Sequence, residues 1–234
     1  DKIVTLDNLS GKTWRKRKAK VKEQILAIAG ELIEIAGKRA LKKSPEFSNS
    51  DSLMQEFAAK FPYSETEDQI TAIEHVTQDL KSGKVMDRLV CGDVGFGKTE
   101  IAMRAAFIIL SNENKQKNPQ IAIVIPTTLL ARQHYKNFKE RFSDFGLRIE
   151  QLSRMITAKK SKEIKQDLAD GKVDIIIGTH ALLADSIKFK NLALVIIDEE
   201  QHFGVKQKEK LKALKEDVNL LTLSATPIPR TLQM

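Results

Sequence analysis

The chain has 234 residues, 41% of them hydrophobic and 30% charged, which suits one substantial core with a small appendage rather than two full-sized domains. A single cysteine, Cys91, excludes an internal disulfide framework, and no apolar run approaches the roughly 20 residues needed to cross a bilayer. Asp1 to Ser10 lacks the charged start and apolar block of a signal peptide, so a cytoplasmic protein without membrane attachment is expected.

The net charge of +8 is unevenly spread. Residues 1–47 hold 12 Lys/Arg against 6 Asp/Glu, and the other 187 residues hold 27 against 25. The basic excess is densest in "KTWRKRKAKVK", Lys12 to Lys22. It reads either as a surface for a polyanion or as a solvated helix face. Residues 14–43 are predicted to form one long helix, with Val21, Ile25, Ile28, Leu32 and Ile35 as an apolar stripe suited to docking on a neighbour. "KKSPEF" should stop it, because the residue before Pro45 is pushed out of helical geometry. The preceding "KIVTL" looks like the last strand of another module. Starting at Asp1 and ending at Met234 directly after a motif, the chain reads as an excised piece.

From about residue 48, helical patterns alternate with short β-branched runs. The expected strands are 88–91, 121–125, 147–152, 173–178, 192–197 and 220–224. Continuous apolar strands separated by helices indicate an α/β fold, a parallel sheet covered on both faces. Ligands of such sheets bind at the strands' carboxyl ends, and each unusual residue cluster of this chain falls there.

After the first strand comes "GDVGFGKTE", which fits G-x-x-x-x-G-K-[ST]. Gly92, Asp93, Gly95 and Gly97 form a loop whose amides, with the following helix N-terminus, can donate to phosphates. Lys98 would reach the β- and γ-phosphates and Thr99 would ligate Mg2+, with Glu100 completing the nucleotide-contacting stretch. "LSGKTW" is a decoy: it repeats the motif's end but follows no buried strand. The strand 192–197 runs into three consecutive acids, "DEE". Such a cluster repels itself unless a cation sits there. Asp198 would hold Mg2+ and Glu199 would polarise the attacking water, which argues for hydrolysis; Glu200 receives no role. Ser224, Ala225 and Thr226 ("SAT") close the sixth strand, placed to couple the nucleotide site to a neighbouring surface. A phosphate loop, "DEEQ" and "SAT", in that order, point to a nucleic-acid-dependent motor lobe of the helicase superfamily 2 type.

Over most of residues 52–234, "FPYSETEDQITAI", "MDRLVCGDVGFGKTEIAMRAAF", "IPTTLLARQH", "GTHALL", "DEEQHFGVKQKEKLK" and "SATPIPRTLQM" together resemble the first motor lobe of the bacterial transcription-repair coupling factor family, in the RecG-like branch of superfamily 2. Phe96 and "EIAMRAAF" fit that family better than the RecG-type fork-remodelling helicases. The resemblance implies a RecA-like lobe over 48–234, a connecting helix over 14–47, and at 1–13 the tail of an RNA polymerase interaction module. It implies a monomeric ATP- and Mg2+-dependent translocase on double-stranded DNA that displaces stalled RNA polymerase and recruits excision-repair proteins. It further implies that Phe61 and Gln69 recognise adenine and that Gln201 senses the γ-phosphate. Thr127, Thr128, Arg154, Thr179 and His180 would contact DNA backbone. The family's usual arginine after "DEE-x" is His202 here, which puts a role needing a permanent charge in doubt.

Lysines 206, 208, 210, 212 and 215 could line DNA or simply solvate a helix. Four scattered histidines and one cysteine suggest no zinc site, and Cys91 is expected to be a small buried filler. With no second lobe after Met234 to supply arginines, the chain alone should hydrolyse ATP poorly. The competing readings are a RecG-type remodelling lobe and a non-catalytic nucleotide- or DNA-binding fragment.

Overall fold

The computed structural model describes residues 12–112, 118–199, 203, 211 and 217–225. It divides into two compact units, Asp1–Leu41 and Lys42–Met234. In the first, α1 (Lys12–Leu41) is a single 30-residue helix, built from lysine, alanine, leucine and glutamate, all good helix formers, and free of proline. Val21 and Ile25 of the expected stripe are half exposed (52% and 47%); the side chains of Ile28, Leu32 and Ile35 lie outside the described residues. No helix among the described residues is long and apolar enough to cross a membrane.

The second unit begins where α1 stops. Residues 43–47 are not helical; they lie against the lobe, the Ser44 N–H donating to Gly83 O at 2.8 Å and the Phe47 N–H to Leu80 O at 3.1 Å, with Phe47 buried. Then follow α2 (Asp51–Ala59), α3 (Glu67–Lys81), β1 (Asp87–Cys91), α4 (Lys98–Leu110), β2 (Gln120–Val124), α5 (Thr128–Arg141), β3 (Ile149–Leu152), α6 (Ala158–Asp170), β4 (Ile175–Gly178), β5 (Leu192–Asp198) and β6 (Asn219–Ser224). The six strands are parallel in the order β1-β6-β5-β2-β4-β3. All six expected strands are present, with ends shifted by at most two residues.

The strands read as unbroken apolar runs because both faces of the sheet are covered. Within each run the side chains still alternate. Ile121, Ile123, Ile175, Ile177, Leu194 and Ile196 face the core under α2 to α5, while Ala122, Val124, Ile176, Val195 and Ile197 pack with Ile164 and Leu168 of α6. Helix α4 is apolar nearly all round, as a helix enclosed by protein must be, and Glu100 to Ile109 are all buried. An aromatic cluster closes that face, with Phe57 stacked on Phe107 (centroids 4.2 Å apart) and Phe138 on Phe142 (5.7 Å).

Buried polar groups fix the opposite, amino-terminal ends of the strands. The Gln120 amide donates to Leu168 O and Val173 O (2.9 and 3.0 Å) and accepts from the Lys190 and Asn191 N–H groups (2.8 and 3.1 Å). That uses its full hydrogen-bonding capacity. Cys91 corrects an expectation: β1 is an edge strand, and the Cys91 side chain is exposed rather than a core filler.

Candidate active site

The register of three neighbouring strands builds the site. Cys91 of β1 lies beside Ser224 of β6, and Leu223 of β6 lies beside Asp198 of β5. The loop after β1 and the acids after β5 therefore emerge on either side of the end of β6. Two backbone bonds hold them: the Gly92 N–H donates to Ser224 O at 3.1 Å, and the Glu199 N–H to Leu223 O at 2.9 Å.

The loop Gly92–Gly97 turns from β1 into α4, aiming the helix N-terminus at the sheet's carboxyl edge. Gly97 caps that helix with φ of 81°, a left-handed conformation that only glycine adopts cheaply. A Cβ there would lie 2.5 Å from Gln69 Nε2, and one on Gly92 would lie 2.8 Å from the Phe96 ring. The Lys98 ammonium reaches back across the loop, donating to Gly92 O (2.6 Å) and Asp93 O (2.9 Å). Its charge thus lies against the loop's own carbonyls, beside the start of α4.

Glu100 departs from the nucleotide-contacting role expected of it. Its carboxylate turns inward, away from the loop, and accepts from Arg104 and Arg141 while buried (5% exposed).

On the acidic side, Asp198 ends β5 and Glu199 follows it with φ of 56°. A non-glycine residue held there costs on the order of 1 kcal/mol, a strain typical of functional positions. Glu199 Oε1 accepts from the Ala225 N–H at 2.9 Å. "SAT" therefore meets the acids through the Ala225 amide and the phosphate loop through the Ser224 carbonyl. Gln201, Thr226, Glu200 and His202 lie outside the described residues.

Oxygen donors from Thr99 and Asp198 suit Mg2+. Among the described residues no three His, Cys, Asp or Glu side chains converge to form a cage by themselves. A Mg2+ here would take its other ligands from phosphate and water, its ordinary habit beside nucleotides.

Gln69 has a double engagement that the adenine assignment did not anticipate. It is N3 of α3 and forms a capping box, its Oε1 accepting from the Thr66 N–H (2.9 Å) and its own N–H donating to Thr66 Oγ1 (3.3 Å). Its Nε2 donates to Phe96 O of the phosphate loop at 2.5 Å. The signal was in the sequence, since "TEDQ" matches the [ST]-x-x-[EQ] capping pattern. One amide hydrogen and one oxygen lone pair remain. Phe61, its ring 5.5 Å from that of Tyr63, is half-buried just before this helix.

His134 was missed. Its Nε2 lies 3.5 Å from Asp198 Oδ2, both side chains are mostly buried, and its Nδ1 has no hydrogen-bond partner among the described residues. It falls on the buried stripe of α5, between Ala131 and Phe138. A polar residue at a stripe position was the available signal.

Of the residues assigned to DNA backbone, Thr127 and Arg154 are exposed in loops at the carboxyl ends of β2 and β3, and Thr128, the first residue of α5, is half-exposed; His180, after β4, is exposed as well. Thr127 also N-caps α5, accepting from the Leu130 N–H at 3.3 Å. Thr179, just after β4, is by contrast buried, 6% exposed.

A model of the DEAD/DEAH box helicases matches residues 66–234. The chain belongs to the DEAD/DEAH box helicase family. This helicase lobe is 55% identical over 229 residues to the transcription-repair-coupling factor of Rickettsia conorii, covering 98% of this chain and 20% of that protein. It is 50% identical over 234 residues to that of Haemophilus influenzae, covering 100% of this chain and 20% of that protein. The chain thus spans about a fifth of the length of the curated relatives it matches. A solved structure of RecG bound to a three-way DNA junction is similar over 85% of this chain and 26% of that one, with 36% identity and a TM-score of 0.70. The RecA-like helicase lobe expected from the sequence is the fold found, and the resemblance to the coupling factors extends across nearly the whole helicase chain, α1 included.

Proposed function

We propose that this chain is the first ATPase lobe, with its preceding helix, of a monomeric cytoplasmic translocase on double-stranded DNA that displaces stalled RNA polymerase and couples transcription to excision repair. The observation that carries this reading is the junction at β6. One strand end ties the phosphate loop to the Glu199 carboxylate through Gly92–Ser224 and Glu199–Ala225 bonds, in a chain related throughout to transcription-repair-coupling factors.

In this reading the loop amides and Lys98 bind the phosphates, and Thr99 and Asp198 hold Mg2+. The metal, when bound, neutralises charge on the phosphates. Glu199, fixed by Ala225, accepts a proton from the attacking water, and Gln201 senses the γ-phosphate. The remaining hydrogen and lone pair of Gln69 form a donor–acceptor pair matched to the N7 and N6 edge of adenine, with Phe61 beside it. Thr127, Thr128, Arg154 and His180 meet phosphates of the duplex, contacts that position without reading bases. Residues 1–13 belong to a polymerase-interaction module and 14–47 lead into the lobe.

The full-length protein should therefore hydrolyse ATP faster with duplex DNA of any sequence, and lose that stimulation as salt rises. Hydrolysis indifferent to duplex would leave a nucleotide-binding fragment as the better reading. A RecG-type remodelling lobe is the second reading, favoured by the structural match. Phe96 and the N-terminal segment speak for the coupling factor.

A further inference from the structure

Four charged side chains next to the site take no part in hydrolysis as described. Glu100 Oε1 accepts from Arg104 Nε (2.6 Å) and Arg141 Nη2 (2.9 Å), and Arg104 Nη2 also pairs with Glu65. Both arginine side chains are 9% exposed. Arg141 lies with its guanidinium carbon 4.0 Å over the Phe57 ring, and its Nε and Nη1 have no hydrogen-bond partner among the described residues. A hydrogen bond from its own backbone N–H, joined by Arg104 and opposed by burial, holds the Glu65 carboxyl below its ordinary range.

Stability alone explains this arrangement poorly. Burying charges costs about what their attraction returns, and well-packed apolar residues serve as well. Two unpaired guanidinium nitrogens add a further cost that calls for a reason. The reason lies in what the network joins. Glu100 stands in the first turn of α4, directly after Lys98 and Thr99. Glu65 immediately precedes Thr66, the N-cap of α3 whose capping box orients Gln69. Gln69 in turn donates to Phe96 of the phosphate loop. Arg104 therefore ties the segment leading into α3 to α4 on one side, and Gln69, in the first turn of α3, ties that helix to the phosphate loop on the other.

We propose that Arg104 is a positioning residue for base selection: by bridging Glu65 and Glu100 it fixes the Gln69 amide relative to the phosphate loop, so that a nucleotide anchored by its phosphates presents its base at the matching edge. The inference rests on the adenine-reading role given above to Gln69. Arginine is required because Nε serves one carboxylate and Nη2 the other, a fork that lysine lacks.

The test is to measure binding of ATP, GTP and inorganic tripolyphosphate to the 234-residue chain and to its Glu65→Ala and Arg104→Lys variants. Glu65→Ala cuts the tie to the loop while leaving the buried Arg104–Glu100 pair, and so spares the core. The wild type should prefer ATP over GTP. In both variants that preference should fall on the order of tenfold, the loss of one well-placed hydrogen bond, with tripolyphosphate affinity unchanged. A preference kept at the wild-type value in both variants overturns the proposal. So does a parallel loss of ATP, GTP and tripolyphosphate binding, which a merely loosened fold would give. A wild type that binds ATP and GTP equally refutes the role of Gln69 itself, and the proposal with it.

Discussion

Replacing Lys98 with alanine should lower the affinity of the chain for Mg-ATP on the order of 100-fold or more, while leaving the fold intact. The ammonium has Gly92 O and Asp93 O as its protein partners. Those carbonyls face partial exposure and can be taken over by water, so the folded state loses little. The bound state loses a charge-assisted contact to phosphate, worth roughly 1.5–3 kcal/mol, and is left with uncompensated phosphate charge. Titration calorimetry with a thermal melt in parallel separates the two effects. Nucleotide affinity preserved in Lys98→Ala would remove the phosphate-loop assignment.

Glu199→Gln in the full-length protein should keep Mg-ATP binding and lower the rate of hydrolysis by a factor of roughly 10² to 10⁴, the usual worth of a positioned general base. Glutamine preserves the size of the side chain and, with its amide oxygen toward Ala225, the 2.9 Å bond that orients it. The left-handed backbone at residue 199 is equally strained in both forms, so stability should scarcely move. What is lost is the ability to accept a proton. Normal turnover by Glu199→Gln would assign the base elsewhere, His134 beside Asp198 being a candidate among the described residues.

The fold was legible because each strand buried on both faces must be apolar along its whole length, and "IAIVI" and "LALVII" can be little else. The phosphate loop was legible because close approach of backbone to an anion leaves glycine few substitutes. What escaped the sequence depends on direction and exposure rather than on residue type. Glu100 follows Lys98 and Thr99 in a nucleotide-binding motif, but the 100° step of a helix carries its side chain to the inner face, where Arg104 and Arg141 meet it. Thr179 sits in a hydroxyl-bearing loop motif, yet it is buried just after β4. Cys91 read as core because its strand is apolar; that β1 lies at the sheet's edge is a matter of strand order, which chain order does not reveal. Gln69 was found for one role and missed for another, since a capping box and a base-reading amide call for the same residue.

In the proposed function, ATP hydrolysis at this lobe drives movement along duplex DNA against RNA polymerase. The most direct measurement is release of a polymerase stalled on linear DNA by the full-length protein, followed by gel shift with ATP and with a non-hydrolysable analogue. Release should depend on ATP and be absent with the analogue and in Glu199→Gln. A stalled complex left intact, while the same protein remodels three-way junctions with ATP, would contradict that function in favour of a RecG-type lobe.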